Sequence, residues 1–212
     1  MRKWICFIFI FALMSPVSSK ACWRFGKKPR SGDLIFQTSL SGQSRALQIA
    51  TRSRWSHMGM IWQRDGALYV FEAVQPVRFT PLQEWIERGQ SGEYVIKRLR
   101  RSRRRLSLER WREMEKFAQH FLGYDYDMYF HWSDEQMYCS ELIWKLFYRC
   151  TDIQVGDLQK IADFDLSHPA VKQKLRERYG ESIPLNETVI SPAEMIQSPK
   201  LRLVVRNCES KE

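Results

Sequence analysis

The sequence predicts an α+β protein in which an antiparallel sheet packs against helices. Two observations carry that expectation. Residues 58–62 and 67–74 read as strands joined by Gln63-Arg64-Asp65-Gly66, and the Asp-Gly pair supplies the positive φ of a tight hairpin. Two later segments, 107–122 and the run that begins at Cys139, carry apolar stripes with helical period. Composition agrees with a single globular domain. The chain has 212 residues, 44% of them hydrophobic and 27% charged, which excludes a disordered chain, a collagen-like repeat and a polytopic membrane protein. The net charge of +10 suits anionic partners.

The elements follow in order. Met1, Arg2 and Lys3 give a positive start, residues 4–14 are apolar, and residues 15–21 are small and weakly polar apart from Lys20. That is the layout of a secretory signal peptide over 1–21. The apolar run is too short to span a bilayer, which takes ~20 residues. The expectation is export to the periplasm, leaving 22–212 as one domain. Ser19 and Lys20 argue against lipid anchoring at Cys22. Export permits disulfides. Cys22 and Cys208 lie near termini that often sit together, so a bridge between them is open. Cys139 and Cys150 on one helix stand ~16 Å apart, too far to bond.

Ser31-Gly32-Asp33 is a turn, and Leu34-Ile35-Phe36-Gln37 a strand. Residues 42–52 look helical, with Leu47, Ile49 and Ala50 as the apolar stripe. After the hairpin, Pro76 stops the second strand. Residues 81–87 suit a short helix and 94–99 a strand. The helix over 107–122 has Ser107 as N-cap, Leu108, Trp111, Met114, Ala118 and Phe121 as its stripe, and Gly123 at its close. The next carries Cys139, Leu142, Ile143, Leu146, Phe147 and Cys150. Residues 169–179 form a helix with Pro at its first position and Gly180 beyond its end. Ser191-Pro192 opens a short helix, and 201–205 is a last strand.

Between the sheet segments and the first long helix lies a run of Lys97, Arg98, Arg100, Arg101, Arg103, Arg104 and Arg105. Most such runs are solvated loops. The functional alternative is a patch for anionic polymer or lipid headgroups. No nucleic-acid motif accompanies it.

The hairpin also yields a candidate site. With a two-residue loop, Gly59 faces Glu72, and His57 becomes the diagonal neighbour of Glu72 on the same sheet face. Gly59 has no side chain to keep them apart. A four-residue loop keeps the pair together, whereas a three-residue loop separates them. A carboxylate beside an imidazole fixes its tautomer and stabilises the imidazolium. Cys139 is the candidate nucleophile, since a helix start and a nearby imidazolium both favour thiolate. Backbone N–H groups there could hold an oxyanion. Each residue also has a structural reading, and sequence spacing alone does not bring Cys139 to the pair.

The same residues carry a resemblance. Ser31-Gly32-Asp33-Leu34-Ile35-Phe36-Gln37, Ser56-His57-Met58-Gly59-Met60, Tyr69-Val70-Phe71-Glu72-Ala73 and Tyr138-Cys139-Ser140-Glu141-Leu142 occur in the order found in YiiX-like proteins. So do Leu122-Gly123 with Tyr126-Asp127, Phe164-Asp165-Leu166-Ser167 and Val189-Ile190-Ser191-Pro192. The chain resembles that family over about residues 30 to 200. The resemblance implies a circularly permuted papain-like, NlpC-type fold, with the antiparallel sheet or barrel against helices. It implies Cys139 as nucleophile, His57 as base and Glu72 as the residue that orients it; permutation puts His before Cys. Relatives include cell-wall peptidases and lecithin–retinol acyltransferase. The expected function is an exported cysteine amidase or peptidase acting on cell-wall-type peptides through an acyl-enzyme. A lipid-directed thiol acyltransferase or esterase, or a non-catalytic binding module, are the alternatives. No cofactor is implied, and His120, His131 and His168 lack zinc-like spacing.

Overall fold

The computed structural model describes residues 28–207. The expected signal segment, Cys22 and Cys208 lie outside the described residues. Within them the chain forms, in order, β1 (Asp33–Ser39), α1 (Ser44–Ala50), β2 (His57–Arg64), β3 (Ala67–Glu72), β4 (Arg78–Pro81), α2 (Leu82–Glu87), β5 (Gly89–Leu99) and α3 (Ser102–Arg105). There follow α4 (Leu108–Phe121), α5 (Cys139–Thr151), β6 (Gln159–Lys160), α6 (Pro169–Tyr179), β7 (Thr188–Val189), α7 (Pro192–Gln197) and β8 (Leu201–Asn207).

Six strands make one sheet in the order β4-β3-β2-β1-β5-β8, every neighbouring pair antiparallel. The sheet is open, with β4 and β8 at its edges; it is not a closed barrel. The β2–β3 hairpin has the two-residue loop, since Arg64 pairs with Ala67 and Met60 with Phe71. Asp65 and Gly66 both sit at positive φ, as that turn requires.

Strand alternation builds two cores. Leu34, Phe36, Met58, Met60 and Phe71 face Met114 of α4 and Leu142 and Phe147 of α5. Ile35, Ile61, Val70 and Ile96 face the other way, onto Leu82, Trp85 and Ile86 of α2. Thus α5 is enclosed by the sheet, α4 and α7, and even Ser140, Glu141 and Lys145 on it are buried. Ser107 caps α4 as expected, its hydroxyl accepting from the Arg110 N–H at 3.3 Å. Leu108 departs from the expected stripe: it is 80% exposed, because the helix buries only Met114, Ala118 and Phe121 fully. Cys150 and Cys139 are both free thiols.

Two sequence motifs, the Ser31-Gly32-Asp33 turn and the basic run, meet in one pin. The Asp33 carboxylate receives Arg98 through two hydrogen bonds of 2.5 and 2.7 Å, tying the start of β1 to the end of β5. Both side chains are buried. Arg98 is therefore an internal structural cation and leaves the set expected to meet an anionic partner. Arg100 turns to the Pro199 carbonyl at 3.0 Å, and Arg101 is exposed.

Because Arg98 is buried against one carboxylate, the Asp33→Ala variant is expected to lose about 3–5 kcal/mol, the usual cost of stranding a buried charge. Urea unfolding checks this. An unchanged midpoint would show that the pin is dispensable.

Candidate active site

His57 opens β2 and Glu72 ends β3, so the hairpin brings both to one end of the sheet. His57 Nε2 and Glu72 Oε2 are 2.6 Å apart. Gly59 permits this, because a Cβ there would stand 2.4 Å from Val70 Cγ1 and 2.7 Å from the Phe71 carbonyl oxygen. The third member arrives from the far half of the chain. Cys139 is the first residue of α5 and buried, and its sulfur lies near enough to the His57 ring to favour the ring's charged form. With Nε2 facing Glu72, Nδ1 is the nitrogen that remains for the sulfur. The structure thus unites all three residues that the sequence and the resemblance nominated.

Glu72 is wholly enclosed and receives more donors than the sequence suggested. Thr80 Oγ1 of β4 donates to it at 2.6 Å and Trp85 Nε1 of α2 at 2.8 Å. Arg88, just beyond α2, adds contacts of 2.5 and 2.7 Å. Trp85 also stacks on the imidazole, with centroids 5.9 Å apart and planes at 26°. Burial opposes the charge on Glu72, but the His57 hydrogen bond and the charges of His57 and Arg88 outweigh it and hold the carboxyl at about 2. Burial likewise opposes protonation of His57, yet the neighbouring Cys139 sulfur and the Glu72 carboxylate, which accepts from the ring, push it up to about 9. A buried imidazolium between a carboxylate and a sulfur is the resting form these neighbours favour.

Cys139 is clamped on both sides. Tyr138 Oη accepts the Ile190 N–H at 3.0 Å, and Ser140 Oγ donates to the Ile190 carbonyl at 2.7 Å. One backbone residue therefore fixes the helix start, which gives Val189-Ile190-Ser191-Pro192 its purpose. Glu141 completes the segment: it accepts from the Tyr138 N–H at 3.4 Å and from Lys145 Nζ at 2.7 Å. Burial pushes the Glu141 carboxyl up to about 8 despite Lys145. The first N–H groups of α5, that of Cys139 among them, have no carbonyl partner within the helix.

Tyr126 also borders the sulfur and was not among the residues singled out. Burial first, then the charge of Cys139, pushes its phenol far up, so it stays neutral. Gln43 Nε2 donates to the phenol oxygen at 3.1 Å, and Arg178 Nη2 donates to Gln43 Oε1 at 2.6 Å. The phenol's own hydrogen therefore stays available as a donor.

Two spaces meet at this point. An apolar cavity of about 100 Å³ is bordered by Cys139, and an open cleft of about 950 Å³ by His57. Gln43, Tyr126, Lys174 and Arg178 border both. Thr80, Trp85, Arg88 and Tyr126 are the supporting residues that sequence reasoning missed. Only the position of Tyr126 within a family-like stretch hinted at one of them.

The sign of the pH dependence follows from the two shifts. Glu72 contributes stability above its ordinary 4.5, lost as pH falls through about 2; His57 contributes fully below 6.5, lost as pH rises through about 9. Iodoacetamide should therefore alkylate Cys139 readily at pH 6, and His57→Ala should slow that reaction about ten- to hundredfold. Cys150, which burial and the Glu113 charge push up to about 11, serves as reference in the same digest. Equal labelling of the two thiols at pH 6 would contradict the pairing.

Comparison with known proteins gives one consistent result. Residues 28–205 match the model of the permuted papain-like amidase family of YaeF and YiiX, C92. The protein YiiX of Escherichia coli strain K12 is 46% identical over 182 residues, covering 86% of this chain and 89% of YiiX. A crystal structure of YiiX from Escherichia coli O157:H7 superposes with a TM-score of 0.81 at 46% identity, covering 85% of this chain and 99% of that one. Its title calls that protein a metalloprotein. Among the described residues here, no three His, Cys, Asp or Glu side chains gather as metal ligands do, so no residue set fits such an ion.

Proposed function

From the premise that the chain belongs to the permuted papain-like amidase family of YaeF and YiiX, we propose that it hydrolyses amide bonds through a thioester on Cys139. The observation that carries the reading is the buried His57 ring, hydrogen-bonded to Glu72 on one side and near the Cys139 sulfur at the head of α5 on the other.

The steps follow from the positions of these groups. The sulfur attacks the amide carbonyl. The developing oxyanion is met by the free N–H groups at the start of α5 and by the Tyr126 hydroxyl. His57 donates its proton to the leaving nitrogen, the C–N bond breaks, and the amine departs. His57, now neutral, takes a proton from water, which attacks the thioester and releases the carboxylic acid. Glu72, held by Thr80, Trp85 and Arg88, keeps the ring oriented and favours its charged form throughout.

Export belongs to the proposal, on the pattern of residues 1–21. Of the substrate classes the resemblance suggests, cell-wall-type peptides fit the open cleft near His57. The apolar cavity beside Cys139 favours a second reading, a lipid-derived acyl group, on the acyl side of the bond. The exposed arginines Arg100 and Arg101 are proposed as a contact for anionic polymer or headgroups.

Three measurements bear on this. Mass spectrometry of quenched turnover should find an acyl adduct on Cys139, and Cys139→Ala should abolish turnover; hydrolysis surviving in that variant would overturn the reading. Tyr126→Phe should lower kcat about 10²–10³-fold, the usual cost of losing one oxyanion donor, while iodoacetamide labelling of Cys139 persists because alkylation builds no oxyanion. The alkaline limb of kcat/KM should lie near pH 9, where His57 loses its proton, and Glu72→Gln should move it to lower pH. A limb that stays put in Glu72→Gln would remove the carboxylate from the mechanism.

A further inference from the structure

One corner of the sheet gathers cations. The Arg100 N–H donates to the Lys200 carbonyl at 2.8 Å where β5 leads out and β8 leads in, which sets these two residues side by side. Arg202 and Arg206 lie on β8, and Lys97 lies on β5. Among the described residues, none of these cations enters an ion pair. Neutral backbone oxygens hold three of them instead: Ile196 receives Lys97, Pro199 receives Arg100 at 3.0 Å and Gln154 receives Lys200 at 2.8 Å. Such bonds orient a cation without cancelling its charge.

A β-bulge concentrates the charge on one face. Lys97 pairs with Leu203 and Ile96 with Val205, so Val204 is an extra residue on β8. In an unbroken strand Leu203 and Arg206, three apart, would point to opposite faces. The extra residue turns Arg206 onto the face of its partner Val95, which is also the face of Lys97 and Leu203. Lys97 registers the crowding: burial first, then the charges of Arg206 and Arg100, push its ammonium below its ordinary value. Like charges so placed are unfavourable, and an anionic surface relieves them.

Leu203 stands among these cations and is 51% exposed. β8 is the edge of its sheet, and among the described residues no further strand pairs with it. A soluble anionic polymer would meet the cations and leave Leu203 in water. A bilayer answers both, with phosphate for the cations and acyl carbon just beneath for the leucine.

We propose that the β5–β8 corner docks on an anionic bilayer surface, with Lys97, Arg100 and Arg206 against phosphate headgroups and Leu203 at the acyl boundary. This rests on the anionic contact proposed above for Arg100 and Arg101; it names the partner and moves the centre of the contact to β8.

The test sediments the purified protein with vesicles of phosphatidylcholine, alone or mixed with phosphatidylglycerol, and offers sodium polyphosphate as a soluble rival. The protein should pellet with the anionic vesicles and leave them as salt rises from about 0.05 to about 0.5 M. Each cation near such a surface is worth about fivefold in affinity, so Arg206→Glu, a change of two charges, should weaken binding about twentyfold. Leu203→Asp should weaken it about tenfold, and Leu203→Trp should strengthen it. A gain in the tryptophan variant is a result that misfolding does not mimic. Equal pelleting with both kinds of vesicle would overturn the proposal. So would polyphosphate binding that Leu203→Asp leaves unchanged while vesicles stay unbound, which assigns the corner to a soluble polymer. Vesicle binding lost in Arg101→Glu but kept in Arg206→Glu would overturn the β8 assignment and leave the contact at the arginine run standing. Binding to neither vesicles nor polyphosphate would overturn both.

Discussion

The Glu72 carboxylate is the fixed point of this molecule. It is sealed from water between β3, β4 and α2, and four side chains aim donors at it. A bare carboxylate in such a place would take up a proton. Here the donors keep it ionised, and its charge is passed to the His57 ring that lies between it and the sulfur. The second fixed point is Ile190, whose single N–H and carbonyl hold the residues on both sides of Cys139. One device sets the charge of the base, and the other sets the position of the nucleophile. They come from segments more than a hundred residues apart, and α5 joins them by running through the core against the sheet.

That arrangement explains why the core is so heavily ordered around one helix. The start of α5 must meet the end of the β2–β3 hairpin within hydrogen-bond reach, and a slip of either element by one residue would break the contact. The apolar packing of Leu142, Ile143, Leu146 and Phe147 against Met58, Met60 and Phe71 holds the helix in place. Lys145 extends the same control outward, joining Glu141 to Asp134 and the Ser133 carbonyl. Stability and chemistry share these residues, so the site has few side chains that can change without cost to both.

Much of this was legible in the sequence because it is local. The Asp-Gly turn set the hairpin register, and the register set His57 and Glu72 on one face with Gly59 between them. Ser107, Pro169 and Ser191 marked helix starts that the structure keeps. Cys139 at the head of its helix followed from the apolar period. What distance in space decides was not legible. The short strand β4 escaped notice because it is only four residues long and ends in Pro81, which reads as the start of a helix, and so Thr80 was missed. Trp85 read as an ordinary residue of a short helix, and Arg88 lay just beyond it. Arg98 looked like part of a solvated basic run, since nothing in its neighbours announces Asp33 as its partner. Leu47 and Ala50 read as part of an apolar helical stripe, and the structure turns those two to the apolar cavity bordered by Cys139.

The charge state of His57 is the hinge of the mechanism, and it can be read directly. Titration of the imidazole by NMR in protein labelled at histidine, with His57→Ala assigning the signal among the four histidines, follows that ring alone. The expected result is an imidazolium that persists through neutral pH and titrates near 9. A ring that loses its proton at or below 6.5 would mean that Glu72 and Cys139 do not hold the charge between them, and the thiolate–imidazolium centre would have to be abandoned.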